Sequence, residues 1–277
     1  MNSTLPHRQH SSKRSHVAGI SAGSPKRLVS GICRTGVRQI PRGFTLIEIA
    51  VAIFIIAILL GSILVPLTTQ VEQRQVSDTQ KALEEIKEAL LGFAVAKGYL
   101  PCPDKTTAGG AGTANDGIED VDAAGACVAT SQGNVPWATL GVGASDVWGN
   151  RFRYQVTPAF SQRAPAAGGS FSLASVGTIN VCTASACAAR LTADAVAIVI
   201  SLGKNGYMAI SANTGIAIPC PPGGCSADEV ANETGPGTFV SRTITPAGTA
   251  AGEFDDIVTW LSKHTIFNRM VSAGKLP

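Results

Sequence analysis

From Ile49 to Val65 no charged side chain interrupts the chain. Those seventeen residues would make about 25 Å of helix, and Phe44–Ile47 with Leu67 bring the run to bilayer-spanning length. A single carboxylate, Glu48, stands near its start. Further along the pattern changes. Leu83, Ile86, Leu90 and Phe93 recur at intervals of three, four and three, which predicts one apolar helix face. Lys81, Glu84, Glu85, Lys87 and Glu88 fill the opposite side, and Gly98 and Pro101 stop the helix. Thr45–Ala96 as one unbroken helix would measure roughly 78 Å. Pro66 lacks a backbone donor and Gly61 lies close by, so a kink or a locally melted turn is expected there.

Beyond Gly98 the sequence turns to Ala, Gly, Thr, Val, Ser and Pro with few charges. Arg151–Val156 alternates strictly, Phe171–Val176 does so more weakly, and Ala195–Ser201 is a continuous run of the buried-strand type. Gly/Pro clusters separate these segments. Phe254, Ile257, Val258 and Leu261 fall at helical spacing behind Asp255 and Asp256, which suit a first helical turn, so a short amphipathic helix is expected there. A helix followed by antiparallel strands defines an α+β class, a long N-terminal helix packed on a small antiparallel sheet. The expected divisions are a basic leader at 1–43, an apolar helix at 44–67, its amphipathic continuation at 68–97 and a globular head at 98–277.

Charge sharpens the first division. Eight Lys/Arg and no acid precede Phe44, while the remaining fourteen basic residues face nineteen acids, a net charge of −5. The basic arm ahead of an apolar run implies a single-pass segment with its N-terminus in the cytoplasm and the bulk of the chain exported. No basic stripe marks the remainder, so nucleic acid is not an expected partner. A carboxylate inside an apolar segment costs on the order of 2.5–3.5 kcal/mol, which makes Glu48 functional by default.

Gly43-Phe44-Thr45-Leu46-Ile47-Glu48 resembles the processing site of type IV prepilins and of the pseudopilins of type II secretion. The resemblance implies cleavage between Gly43 and Phe44 by a prepilin peptidase, which also N-methylates Phe44. It implies that Glu48 pairs with the terminal amine of a neighbouring subunit, setting register in a filament of homologous subunits. A buried unpaired charge is costly, whereas a buried pair is tolerated. An assembly ATPase and an inner-membrane platform protein are implied partners, and the inner membrane followed by a periplasmic or surface filament is the implied location. The 43-residue leader is longer than is usual in that family; either it is long, or translation starts later from a codon other than Met.

Two segments extend the likeness. Asp146-Val147-Trp148-Gly149-Asn150-Arg151-Phe152-Arg153-Tyr154 is similar to the D-x-W-G-N-x-x-x-Y segment of major pseudopilins. Ser201-Leu202-Gly203-Lys204-Asn205-Gly206 with Asp255-Asp256-Ile257 is similar to that group's S-L-G-x-D-G and acidic loop, which bind calcium. Asn205 stands where the group has Asp, so Asn205, Asp255 and Asp256 form either a calcium loop or a plain turn with helix-capping acids. Asn115–Asp122 lacks the EF-hand series and reads as a solvated loop.

The chain has seven cysteines; removing the leader removes Cys33 and leaves Cys102, Cys127, Cys182, Cys187, Cys220 and Cys225. Six cysteines allow fifteen pairings, and proximity favours 102–127, 182–187 and 220–225. No C-x-x-C pair suggests zinc. The one G-x-S-x-G string, Gly19–Gly23, lies inside the basic leader; there is no P-loop or H-E-x-x-H motif, and His264 is the sole histidine after the apolar run. A non-enzymatic structural subunit is expected. The alternatives are a type IV pilus or DNA-uptake pilin, or a membrane-anchored binding protein that never polymerises.

Overall fold

The structure, a computed structural model, describes residues 43–128, 132–163, 171–234 and 237–276, without the side chains of 62–68. The expected leader, 1–43, lies outside them except for Gly43. The chain divides into two units, Met1–Ile55 and Ile56–Pro277.

Helix α1 (Leu46–Lys97) is helical throughout, Gly61 and Pro66 included. In the first unit its apolar side chains, Leu46, Ile47, Ile49, Val51, Ile53 and Phe54, are exposed. Among the described residues no helix is long and apolar enough to cross a membrane. The expected span, 44–67, runs into residues 62–68, whose side chains lie outside the description.

In the second unit α1 lays its stripe on a sheet. Leu83, Ile86, Leu90, Leu91 and Ala94 are buried. Phe93, expected on that stripe, is half-buried and meets the Tyr99 ring edge-on at 5.6 Å. The helix stops at Gly98, whose φ of +85° suits glycine and whose N–H bonds the Ala94 carbonyl.

Beyond α1 come β1 (Gly133–Asn134), α2 (Trp137–Leu140), β2 (Arg153–Val156), α3 (Pro158–Ser161), β3 (Ile179–Cys182), β4 (Arg190–Ser201), α4 (Ala227–Thr234), β5 (Thr238–Val240), β6 (Ile257–Ser262) and α5 (Lys263–Ser272). The described strands make one sheet in the order β1-β2-β4-β3-β5, with β6 also on β4. The long strand β4 is the hub. It pairs antiparallel with β2 over 197–200, with β3 over 190–195 and with β6 over 195–201. Its continuous apolar run reflects burial on both faces. Ala197 and Val199 join Phe152, Tyr154 and Val156 against α1, while Ile198 and Ile200 join Ile179, Val181, Leu202 and Phe239 on the far side.

Three expectations change. The sheet is mixed, because β5 runs parallel to β3 after a connection that contains α4. Phe171–Val176 is not a strand; β3 starts at Ile179. The stretch 254–261 holds a strand, and the helix follows it at Lys263. A spacing of four satisfies a strand as well as a helix: Ile257 and Leu261 face α1, and Val258 and Trp260 face the other side. Pairing with β4 along its length decides between the two. Asp255 and Asp256 therefore precede a strand, and the true helix is capped by Ser262, whose side chain accepts the Thr265 N–H.

The cysteines join as 102–127, 182–187 and 220–225, with Cα separations of 5.2, 5.1 and 5.3 Å. The first bridge closes a loop that contains 115–122, the stretch expected to be solvated, yet Gly117 and Asp120 within that stretch are buried, as is Asp104 ahead of it. Asp104 accepts the N–H groups of Asn115 and Gly117, each at 3.0 Å. Burial pushes the Asp104 carboxyl up to about 7, and the charges of Asp120 and Asp116 add to the shift against those two donors. The unfolded chain releases this proton near pH 4 and the folded chain keeps it, so stability falls as pH rises from about 4 to about 7 and then levels. Thermal unfolding across that window should show this slope, and Asp104→Asn should make it shallower, the raised carboxyls of Asp146, Glu229, Asp255 and Asp256 supplying the remainder; an unchanged slope in the variant would assign the proton elsewhere.

Candidate functional site

The processing motif folds locally. Gly43, Phe44 and Thr45 lie outside helical structure and are exposed, Phe44 at 82%. The Thr45 carbonyl accepts the first helical bond, from the Ile49 N–H, which makes Thr45 the N-cap of α1. Its hydroxyl accepts the Glu48 N–H at 3.3 Å, and Glu48 Oε2 accepts the Thr45 N–H at 2.9 Å. This reciprocal pair is a capping box. The Thr45 hydroxyl also donates to the same carboxylate oxygen at 2.9 Å. Sequence reading had not assigned this role, although the Thr-x-x-Glu signature was present. Glu48 thus has an internal partner one turn into the helix, beside the bond whose cleavage would create a cationic amine.

In the second unit the two other motif segments meet. Asp146 Oδ1 accepts the N–H groups of Trp148 and Asn150, at 3.0 and 2.9 Å. Its Oδ2 accepts the Ser201 hydroxyl at 2.7 Å. Asn150 Nδ2 donates to the Gly203 carbonyl at 3.1 Å. Gly206, at φ +60°, packs so closely on the Asn150 amide that a side chain would collide with it. Asp-x-x-Gly-Asn and Ser-Leu-Gly-x-Asn-Gly are therefore the two halves of one hydrogen-bonded joint. Tyr154, which ends the first segment, is fully buried and donates its hydroxyl to the Pro101 carbonyl at 3.1 Å.

That joint presents Asn205 to the acids that sequence reading placed with it. The Asn205 N–H donates to Asp255 Oδ2 at 2.8 Å across fifty residues. The structure adds Glu229 from α4: carboxylate oxygens of Glu229, Asp255 and Asp256 lie within 4.8 Å of one another. Burial raises the pKa of all three, most strongly for Asp256. Nothing in the local sequence marked Glu229, because α4 lies between two other elements and reaches the cluster through tertiary packing alone. Three carboxylates this close favour either a shared cation or donors that take its place.

Residues 40–64 match the family model described as the prokaryotic N-terminal methylation motif. This motif is the hallmark of the type IV prepilin and pseudopilin family, and it implies processing by prepilin peptidase and assembly with other pilin subunits. No curated protein and no solved structure matches the chain.

Proposed function

We propose that the chain is a non-enzymatic structural subunit of a type II secretion pseudopilus or a related type IV filament. The carrying observation is the methylation motif at 40–64, set on a helix start whose capping box already holds Glu48. Cleavage after Gly43 leaves Phe44 as an N-methylated terminus. Its positive charge enters an apolar environment and requires a counter-ion. Glu48 of the adjoining copy supplies one by leaving its own capping box, and each added subunit repeats the exchange. Before assembly the subunit sits in the inner membrane through its apolar helix, with its N-terminus cytoplasmic and its head periplasmic. An assembly ATPase and a membrane platform protein drive extraction. The Asp146–Tyr154 segment favours the secretion pseudopilus over a type IV pilus or DNA-uptake fibre.

The test is cross-linking of cells that express the chain together with prepilin peptidase. Wild type is expected to give ladders of multimers. Glu48→Ala is expected to be cleaved normally yet to remain monomeric, its multimer fraction reduced by at least about tenfold, which corresponds to about 1.4 kcal/mol. Monomer alone from the cleaved wild type would instead identify a membrane-anchored binding protein. Normal ladders from Glu48→Ala would remove the register role.

A further inference from the structure

The cluster of Glu229, Asp255 and Asp256 lies where the resemblance implies calcium, and its surroundings answer whether a cation fits. Asn205 occupies the position of the expected acidic ligand. Its Oδ1 accepts the Tyr207 N–H at 2.9 Å, which fixes the orientation of the amide. The NH2 end therefore faces inward and donates to Glu229 Oε1 at 3.0 Å. Asn232 on α4 repeats the arrangement. Its Oδ1 accepts the Val240 N–H at 2.7 Å, and its Nδ2 donates to Asp256 Oδ2 at 2.7 Å. Asp255 receives the backbone N–H of Asn205. Each of the three carboxylates thus has an N–H donor turned toward it, Asp255 through Oδ2 alone, its Oδ1 being buried without a hydrogen-bond partner. A hard cation needs oxygen at those places, typically six to eight ligands.

A permanent cation stands nearby as well. The Arg242 guanidinium lies 4.5 Å from the centre of the Phe254 ring, bonds Asp228 Oδ2 at 2.7 Å and exerts a favourable field on Asp256. It also donates to Thr245 Oγ1 and to the Ala251 carbonyl, which anchors it. An arginine is a permanent cation, so its field favours the charged form of Asp256 and opposes an incoming cation.

We infer that the cluster is a metal-independent clasp, in which the amides of Asn205 and Asn232 take the place of calcium and join the Ser201–Gly206 turn, α4 and the start of β6. The chain accordingly lacks the calcium dependence that its resemblance to major pseudopilins implies. This inference concerns the folded subunit alone and stands or falls separately from filament assembly.

The test uses the processed full-length chain in detergent micelles. Wild type is expected to unfold at the same temperature in 5 mM calcium chloride and in 5 mM EGTA, within about 1 °C. Equilibrium dialysis with radioactive calcium is expected to detect no stoichiometric binding. Asn205→Asp replaces the inward NH2 with carboxylate oxygens; this variant is expected to bind calcium and to gain about 5 °C or more in its presence. Stoichiometric binding by wild type, or a calcium-dependent rise in its unfolding temperature, overturns the inference, and this arm needs no variant to fold. Failure of both a folded Asn205→Asp chain and a folded Asn205→Asp/Asn232→Asp chain to bind calcium also overturns it, since something other than the two amides would then be excluding the ion.

Discussion

Gly43→Leu is expected to abolish processing, leaving the basic leader attached and Phe44 without a free amine. A peptidase that cuts within a peptide must bring its catalytic groups against the backbone, and a misplacement of about 1 Å costs roughly 100-fold in rate. Glycine permits that approach because it has no Cβ. The variant isolates recognition from folding, since a Cβ built at Gly43 meets nothing within 4 Å and the residue lies outside helical structure. The folded subunit therefore loses nothing by the change. Co-expression with prepilin peptidase, followed by intact-mass measurement and N-terminal sequencing, should give N-methyl-Phe44 from wild type. The variant should give the uncut chain, with processing down by at least about 100-fold. Efficient cleavage of Gly43→Leu at the same bond would refute the assignment of the site.

The largest effect on stability is expected at Glu233. Arg153 points from β2 into the far side of the sheet, where its side chain is 5% exposed, and its guanidinium is paired with Glu233 at the end of α4. Glu233→Ala strips a buried charge of its partner, which typically costs about 3–5 kcal/mol. For a chain of this size that loss lowers the unfolding temperature by roughly 10 °C. Replacing both partners, as Arg153→Met with Glu233→Leu, should recover most of the loss, because the penalty lies in the isolated charge. Urea unfolding of the three chains checks both statements. A cost below about 1 kcal/mol for Glu233→Ala would mean that Arg153 finds water or another carboxylate.

What could be read from the sequence was whatever local spacing alone determines. The apolar stripe through Leu83, Ile86 and Leu90 depends only on helix geometry, and it packs as expected. The three disulfides join cysteines close in sequence, so proximity sufficed. The processing motif is a contiguous string. Where contacts span long separations, the reading failed or fell short. Residues 254–261 satisfied both periodicities, and only pairing with β4 selects the strand. Glu229 reaches Asn205 across twenty-four residues and Asp255 across twenty-six, with no local signal at either end. The burial of Asp104 and Asp120 in a polar, glycine-rich loop follows from the bridge that closes it, because backbone N–H donors inside that loop need acceptors. The choice between a calcium loop and a plain turn stayed open in the sequence, because Asn and Asp differ by an NH2 in place of an oxygen, and only the Tyr207 N–H shows which end of Asn205 faces the acids.

The junction between α1 and the head has a consequence for a fibre under tension. A pull along α1 would enter the head through the packed Leu83–Ala94 stripe and through Gly98–Pro103, a short stretch that on its own would peel away one bond at a time. Two anchors prevent this. The Tyr154 hydroxyl grips Pro101 from the middle of the sheet, and the Cys102–Cys127 bridge ties the next residue covalently to the neighbouring loop. Tension on that stretch would thus be shared between strand β2 and the bridged loop instead of falling on one bond at a time.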